Sequence, residues 1–259
     1  MKIGIIGAGN MGGAIARGLA KSTKVSASDI TVSNPSQPKL DALKLFNNAI
    51  NVTTSNAAAA KDADIIILAV KPWLVKSVLS GISFNAKSQL LISVAARISF
   101  EEYAEMLDSP DSTIFRIIPN TAISEGESMN LIAAYNASEA QKTLVQGLFD
   151  EMGSSIFINE EQMAAGMALT SCGIAYVFKY IQAAMQAGIE MGIKPMDAQK
   201  MVAQSLKGAA AIILNNDTHP SVEIDKVTTP GGYTIRGVNE LDHAGFTSAV
   251  IKAIKISRG

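Results

Sequence analysis

The stretch KIGIIGAGNMG, residues 2–12, decides the fold of this chain. It begins with a short apolar run that stops at a glycine, which predicts a buried strand. The pattern G-x-G-x-x-G follows at Gly7, Gly9 and Gly12, and apolar residues with helical spacing begin at Met11. A strand, this glycine pattern and a helix, in that order, are typical of a dinucleotide-binding turn.

Each of the three glycines is required at its position for a different physical reason. Gly7 allows the tight turn, Gly9 lets the backbone approach a pyrophosphate, and Gly12 lets the helix pack closely on the strand. The N-terminus of the helix then offers free N–H groups and a partial positive charge to the phosphates. A glycine-rich turn without a ligand is the alternative, and the flanking strand and helix favour dinucleotide binding.

The alternation of strand and helix continues to about residue 158. Further strands are predicted at the short apolar or β-branched runs 30–33, 51–54, 64–70, 89–95, 113–118, 131–135 and 154–158, with helices at 38–47 and 137–152. This alternation predicts a parallel sheet covered on both faces. We therefore expect an α/β Rossmann-type dinucleotide-binding domain over residues 1–158.

After Asn159 the apolar residues step by three and four along the chain, which predicts amphipathic or fully buried helices. This spacing is found at Ile174, Val177, Phe178, Ile181, Met185, Gly188 and Ile189, at Val202, Leu206, Ala209, Ala210 and Ile213, and at Phe246, Ala249, Val250, Ala253 and Ile254. We therefore expect an all-α domain over residues 159–259.

The end of the second predicted strand bears on the choice of cofactor. NAD sites usually place Asp or Glu there to hold the ribose 2′-OH. This chain has Ser33, Asn34, Pro35 and Ser36 instead. Hydroxyls and an amide can donate to a 2′-phosphate, which favours NADPH, with NADH possible; the alternative is that these residues only form a turn.

Ligands of open parallel sheets bind beyond the carboxyl ends of the strands. Small residues at three such ends leave room for a nicotinamide ring: Ala69-Val70-Lys71-Pro72, Val94-Ala95-Ala96 and Ile118-Pro119-Asn120-Thr121. Lys71 is either a phosphate or substrate contact or a solvent-facing lysine, and the spacing leaves both open.

The segment TTPGGYTIRG, residues 228–237, interrupts the helical third of the chain. Thr229 followed by Pro230 predicts an N-cap with proline at the first helical position, so that the two glycines and Thr234 lie in the first turn. Bare N–H groups there suit a carboxylate. The alternative is a capped helix start with two incidental glycines.

Composition excludes several classes of function. The chain has 259 residues, 48% of them apolar, and a net charge of −1 without runs of like charge, so neither nucleic acid nor a membrane surface is an expected partner. The apolar surplus suggests an oligomer. Cys172 is the single cysteine, and without a signal-peptide pattern or a run long enough to span a bilayer we expect a cytoplasmic protein. His219, predicted in a loop, and His243, near a helix end, are the two histidines; neither has metal-ligand spacing, so we expect no metal and a chemistry carried by the cofactor.

Five motifs together resemble one enzyme family over essentially the whole chain. They are IGAGNMG at 6–12, AVKP at 69–72, IPNT at 118–121, ALT-x-x-G-x-AYVF at 168–178 and HPSVEIDKVTTPGGYTIRGVNELDHAGF at 219–246. With these motifs the chain resembles the Δ1-pyrroline-5-carboxylate reductases, which complete proline biosynthesis.

The resemblance implies a Rossmann-type domain followed by a helical dimerisation domain, with dimers that often assemble into rings, and NAD(P)H as the donor of hydride to a cyclic imine. It implies cofactor contacts from Ile6, Gly7, Ala8, Gly9, Asn10, Met11, Asn56, Ala69, Val70, Lys71, Pro72, Val94, Ala95 and Ala96. It implies substrate-carboxylate contacts from Thr229, Gly231, Gly232, Tyr233 and Thr234. Thr234 would lie nearest the ring nitrogen and act as the catalytic residue, in a site between the first domain and the helical domain of the same or a partner subunit.

Four departures from the family pattern bear on affinity and cofactor preference more than on reaction class. Thr170-Ser171-Cys172-Gly173-Ile174 replaces a Ser-Gly-Ser-Gly-Pro run, Ala122 replaces a proline, Arg97 replaces a glycine, and Tyr233 is bulkier than usual.

Two other functions compete with this interpretation. A β-hydroxyacid dehydrogenase needs a general-base lysine near the domain junction, where Lys179 is the candidate. A non-catalytic NADP-binding regulator needs no second ligand site, so the Pro-Gly-Gly-Tyr-Thr segment argues against it.

Overall fold

The computed structural model describes residues 1–258, which divide into two compact units, Met1–Ser171 and a second unit that starts at Cys172. The first unit holds a sheet of eight strands, at the places where the sequence predicts them. The strands are β1 Ile3–Ile6, β2 Ile30–Ser33, β3 Asn51–Thr53, β4 Ile65–Leu68, β5 Leu90–Ser93, β6 Ile114–Ile118, β7 Ser128–Tyr135 and β8 Gly153–Phe157.

Within residues 1–258, seven α-helices accompany the sheet, and five more form the second unit. The first seven are α1 Asn10–Lys21, α2 Gln37–Phe46, α3 Asn56–Ala60, α4 Val75–Ser80, α5 Phe100–Leu107, α6 Glu139–Asp150 and α7 Met163–Thr170. The second unit contains α8 Gly173–Glu190, α9 Pro195–Asn216, α10 Pro220–Val227, α11 Tyr233–His243 and α12 Phe246–Ile256.

The strands lie in the order β3-β2-β1-β4-β5-β6-β7-β8. β1 to β6 are parallel, but β7 pairs antiparallel with β6, and β8 is parallel to β7. The expectation of a wholly parallel sheet is therefore wrong at this edge. The link between β6 and β7 contains only the 3-10 turn Thr121–Glu125, and a parallel crossover needs a dozen or more residues.

The sheet is covered on both faces, as the sequence predicts. Alternate residues of β4 supply the two cores: Ile65 and Ile67 pack with Ile15 and Leu19 of α1, whereas Ile66 and Leu68 belong to a separate cluster. That second cluster includes Val75 and Leu79 of α4 and Phe100 and Tyr103 at α5. Successive side chains of a strand point to opposite faces, so a strand buried on both sides is continuously apolar.

One carboxylate joins three segments of the first unit. The Arg116 guanidinium in β6 forms an ion pair with Glu160 and lies over the Phe100 ring, 5.7 Å from its centroid. The same Glu160 oxygen accepts the Phe100 N–H at 2.8 Å, at the start of α5. Because the Arg116 side chain is only 9% exposed, the loss of Glu160 would leave a buried cation without its counter-charge.

The second unit leaves much apolar surface uncovered in the single chain. α8 packs on α9 where Gly188 faces Ala198, and the Tyr176 hydroxyl in α8 donates to the Ala253 carbonyl of α12 at 3.2 Å. Large exposed side chains on these helices include Val177, Phe178, Tyr180, Met201, Ile212, Leu214 and Ile251. Exposed apolar area on this scale marks a surface that another chain covers.

His219 lies at the end of the loop that precedes α10, as predicted, whereas Pro220 belongs to the helix. His219 is the N-cap of α10, where its Nδ1 accepts the Ser221 N–H at 3.2 Å and Pro220 takes the first helical position. Proline favours the first turn of a helix, and the imidazole takes the place of the usual capping oxygen.

Within residues 1–258, one helical run, Glu160–Glu190, has the length and apolar composition of a membrane span. A turn at Ser171–Cys172 interrupts the run. A single helix of this kind carries little weight, because core helices meet the same criterion.

We expect Glu160→Ala to lower the free energy of unfolding of the first unit by about 3 kcal/mol, because the buried Arg116 guanidinium loses its counter-charge. The matched control is Glu139→Ala, which breaks the exposed ion pair with Lys142 and should cost less than about 1 kcal/mol. Urea denaturation followed by circular dichroism measures both. Equal losses in the two variants would contradict the role assigned to Glu160.

Candidate cofactor and substrate sites

The glycine turn brings α1 unusually close to β1. A Cβ at Gly12 would lie 2.0 Å from the Gly7 carbonyl oxygen, and one at Gly7 would lie 2.5 Å from the Ala69 carbonyl oxygen. Gly7 also has a φ of +105°, which side chains disfavour. Both positions therefore require glycine for the helix, the turn and the end of β4 to pack together.

The N-terminus of α1 is left without a side-chain cap. Gly9 is the N-cap, and a Cβ built there would meet no protein atom within 4 Å. The first N–H groups of a helix have no partner within it. The space above Gly9 and these amides together form a cradle for an anion such as a pyrophosphate.

A cleft of about 700 Å³ opens at this point, along the carboxyl ends of the parallel strands. It is lined by all but two of the predicted cofactor residues. Those that line it are Ile6, Gly7, Gly9, Asn10, Met11, Asn34, Asn56, Ala69, Val70, Lys71, Pro72, Val94, Ala95 and Ala96.

The two exceptions, Ala8 and Ser33, lie beneath the cleft. The Ala8 N–H donates to Asn34 Oδ1 at 3.0 Å, and the fully buried Ser33 hydroxyl donates to Asn56 Oδ1 at 2.8 Å. Asn34 also donates from Nδ2 to the Ser36 carbonyl at 3.3 Å. These side chains hold the loops after β1, β2 and β3 in place, and the Ser33 hydroxyl does not line the cleft.

Sequence reasoning missed five lining residues, which are Pro35, Lys39, Leu74, Ser77 and Val78. They lie in the segments after β2 and β4, where helices begin within a few residues of the strand ends. Lys71 does line the cleft, and among residues 1–258 Lys39 and Lys71 are the only charged residues of the lining.

The Val94–Ala96 segment rests on a buried hydroxyl pair. Ser93 Oγ, at the end of β5, accepts the Ala95 N–H at 3.2 Å and shares a short hydrogen bond with the Tyr103 hydroxyl. Burial raises the pKa of Tyr103. Arg97, which follows this segment, has a φ of 66°, a backbone conformation that suits the glycine it replaces.

The helix predicted to begin at Pro230 begins three residues later. The Gly232 N–H donates to the Thr229 carbonyl at 2.9 Å, and Gly231 at the third position has a φ of +70°, which is a β-turn of type II. Gly232 is the N-cap of α11 and Tyr233 its first residue. The prediction that the glycine pair occupies the first helical turn is wrong, because positive φ at Gly231 cannot continue into a helix.

Because α11 begins at Tyr233, the N–H groups of Tyr233, Thr234 and Ile235 have no partner within the helix. No side chain caps this helix, and Gly232 packs so closely on Thr229 that a Cβ would lie 2.5 Å from the Thr229 hydroxyl. Thr234 is exposed. Within residues 1–258 its hydroxyl has no hydrogen-bond partner, so the second unit also presents bare amides with a free hydroxyl beside them.

Comparison with known proteins decides the family. The family model for pyrroline-5-carboxylate reductase dimerisation matches residues 160–258, and the model for NADP oxidoreductase coenzyme F420-dependent matches residues 2–97. Pyrroline-5-carboxylate reductases 1 and 2 of Dictyostelium discoideum are each 36% identical over 98% of this chain.

The chain belongs to the pyrroline-5-carboxylate reductase family.

Coverage and structure agree with this membership. The chain spans 48% of the length of the first Dictyostelium reductase and 90% of the second. A crystal structure of Plasmodium falciparum pyrroline carboxylate reductase with NADP bound is similar over the whole chain and 95% of its own length, with a TM-score of 0.89 at 28% identity.

The candidate base of a hydroxyacid dehydrogenase has an ordinary surface position in this reductase family member. Lys179 is exposed on α8, where it donates to Gln182 Oε1 at 3.0 Å. The 3-hydroxyisobutyrate dehydrogenase of Mycobacterium tuberculosis is similar in fold only, with 15% identity and a TM-score of 0.54.

We expect Gly9→Ala to weaken NADPH binding at least about tenfold while the protein stays folded. The added methyl group meets no protein atom but occupies the space above the α1 amides. Gly13→Ala is the control: its Cβ would lie at an ordinary 3.4 Å from Arg17, and it does not line the cleft. Isothermal titration with NADPH compares them; unchanged affinity in Gly9→Ala would place the pyrophosphate elsewhere.

Proposed function

We propose that this protein reduces 1-pyrroline-5-carboxylate to L-proline with NADPH, the last step of proline biosynthesis, and that NADH can substitute. The observation that carries the proposal is the 36% identity to two pyrroline-5-carboxylate reductases over 98% of the chain. The uncapped amides at the starts of α1 and α11 supply the two anion sites that a dinucleotide and an amino-acid carboxylate require.

The cleft residues fit a dinucleotide. The bare α1 amides would hold the pyrophosphate, and Ala69 to Pro72 with Val94 to Ala96 would surround the nicotinamide, because small side chains leave room for the ring. Ser33 and Ala8 would act indirectly, through Asn56 and Asn34. When bound, the reduced nicotinamide supplies a hydride.

The substrate carboxylate would be held at the N-terminus of α11. Thr229 and Gly231 form the turn, Gly232 allows close approach to the backbone, and Tyr233 and Thr234 offer N–H groups. The positive end of the helix dipole favours an anion there. The Thr234 hydroxyl, free of protein partners, would donate to or accept from the ring nitrogen and so act as the catalytic residue.

The reaction requires little acid–base catalysis by the protein. The cyclic imine, protonated at nitrogen, is already an electrophile; hydride adds to the carbon of the C=N bond, whose π electrons become the nitrogen lone pair of proline. The proton on nitrogen stays there. The protein's task is to hold the carboxylate and the two rings in line, for which orientation alone provides much of the rate.

We propose a homodimer, with rings of dimers as the larger assembly, built from a cofactor domain of residues 1–158 and a helical domain of residues 159–259. The apolar side chains exposed on α8, α9 and α12 support a second copy of the chain as the covering partner, and the dimerisation model matches this region. We place the protein in the cytoplasm. A membrane partner is not needed, because the second copy of the chain covers the apolar surface. A nucleic-acid partner is not expected, because the net charge is −1.

Steady-state assays should show NADPH oxidation that depends on 1-pyrroline-5-carboxylate. The related imine 1-pyrroline, which lacks the carboxylate, should have a kcat/KM at least about a hundredfold lower, because a charge-assisted contact is lost and the α11 amides stay unpaired. Turnover of 3-hydroxy acids instead of the imine would favour the dehydrogenase. Tight NADPH binding without any turnover would favour the regulator.

Thr234→Ala should lower kcat at least about tenfold and leave NADPH affinity unchanged, because the hydroxyl lies at the start of α11 and does not line the cofactor cleft. Thr234→Ser, which keeps the hydroxyl, should recover most of the activity. Thr247→Ala removes an exposed hydroxyl on α12 and serves as the control. Loss of NADPH binding in Thr234→Ala would refute the assignment of residues 229–234 to the substrate.

A further inference from the structure

The proposed hydride transfer takes place at one side of the cofactor cleft. β1 and the start of α1 lie in the middle of the strand order, with β2 and β3 on one side and β4 and β5 on the other. In dinucleotide-binding folds the adenosine half lies on the β2 side, so the nicotinamide lies on the side of β4 and β5. There the cleft is lined by Ala69 to Pro72, after β4, and by one wall of three residues after β5, Val94 to Ala96.

The Val94–Ala96 wall extends beyond the hydrogen-bond ladder of the sheet. The Val94 N–H still donates to the Leu68 carbonyl of β4, at 3.0 Å. The next amide, that of Ala95, donates instead to the side-chain oxygen of Ser93, at 3.2 Å. The Ser93 hydroxyl therefore holds the wall at the point where the ladder ends.

The residue after this wall makes such support necessary. Arg97 has a φ of 66°, in the left-handed region that a residue with a Cβ adopts only at a cost in free energy. A strained backbone keeps its conformation only where the surrounding structure holds it. Without an anchor at Ala95, the chain between β5 and Arg97 would relax, and the wall would move with it.

Tyr103 of α5 supplies that anchor from behind the wall. Its hydroxyl shares a hydrogen bond with Ser93 Oγ, and neither residue is more than 1% exposed. Tyr103 does not line the cleft, so it can influence a cofactor only through Ser93. Burial raises the pKa of Tyr103, so the phenol stays protonated and remains a hydrogen-bond donor near neutral pH.

The start of α5 is itself fixed by the rest of the first unit. Ser99 caps the helix, and its carbonyl accepts the Tyr103 N–H at 3.1 Å. The Phe100 N–H donates to Glu160, which lies in a distant part of the sequence, at 2.8 Å. The helix therefore presents the Tyr103 hydroxyl to Ser93 from a fixed position.

We propose that Tyr103 is a positioning residue for hydride transfer: by holding Ser93 it sets the Val94–Ala96 wall against which the nicotinamide ring lies. This role rests on the proposed function, because it requires a nicotinamide on this side of the cleft. Alignment of the two reacting rings provides much of the rate. A small shift of the wall therefore lowers the rate of hydride transfer more than it lowers cofactor affinity.

The test removes the phenolic hydroxyl and keeps the ring. Tyr103→Phe should slow a single turnover, measured by mixing the NADPH-loaded protein with saturating 1-pyrroline-5-carboxylate, about tenfold. The Kd for NADPH should rise about threefold, because the loss of one hydrogen bond loosens the wall. The Kd for ADP-ribose 2′-phosphate, which lacks the nicotinamide, should stay within about twofold of the parent value.

Thr113→Val is the matched control for stability. The Thr113 hydroxyl donates to the Asn136 carbonyl at 3.1 Å, and Thr113 precedes β6 at the end of the sheet opposite to the cleft. Thr113→Val and Tyr103→Phe should each lower the melting temperature by about 2–4 °C, since each loses one hydrogen bond within the first unit. Only Tyr103→Phe should slow the single turnover.

A double-mutant cycle tests whether Tyr103 acts through Ser93. Ser93→Ala removes the acceptor of the Ala95 N–H and should slow the single turnover at least as much as Tyr103→Phe does. The addition of Tyr103→Phe to Ser93→Ala should then change the rate by less than about twofold, because the contact between the two hydroxyls is already lost.

A parental single-turnover rate in Tyr103→Phe would overturn the proposal, and so would equal slowing in Thr113→Val. Losses that multiply in the double variant would also overturn it, as would equal weakening of NADPH and ADP-ribose 2′-phosphate. A parent protein that does not reduce the imine would refute the proposed reaction. Selective loss of NADPH affinity in Tyr103→Phe would in that case still support the role of Tyr103 in placing the nicotinamide.

Discussion

The close approach of α1 to β1 is the constraint on which the rest of the cofactor site depends. Gly7 and Gly12 allow backbone atoms to pack where a methyl group would lie 2.0 to 2.5 Å from a carbonyl oxygen. This contact directs the start of α1 at the space above the sheet. It also brings the end of β4, at Ala69, to the same place, so one packing event sets both the anion site and the neighbouring floor of the cleft.

Two helices that support the fold begin differently from the two that carry the proposed anion sites. α5 and α6 begin at Ser99 and Ser138 with reciprocal capping boxes that use up the first amides. The Ser99 hydrogen bonds also lower the pKa of Glu102. α1 and α11 begin at glycines with no side-chain cap. Their unpaired amides cost stability until an anion satisfies them, which is the property that a binding site needs.

The sequence predicts what depends on local pattern and fails where distant contacts decide. Continuous apolar runs such as that of β4 identify the strands, and the glycine spacing identifies the turn. The reversed direction of β7 depends on the length of one link, which the apolar pattern does not reveal. The start of α11 is predicted three residues too early because Thr229-Pro230 resembles a cap, whereas the positive φ of Gly231 turns the chain first. Lys39 belongs to no motif, and only the folded start of α2 brings it to the cleft.

The scarcity of buried side chains in the second unit has a thermodynamic consequence. Few of its residues besides Gly188 and Ala198 are shielded within the single chain, while side chains such as Leu214, which is 82% exposed, face outward. Its folded state then draws much of its free energy from association, so mass action links melting to protein concentration. Dilution alone would loosen the helices, and the activity of a stored sample would depend on how concentrated it was kept.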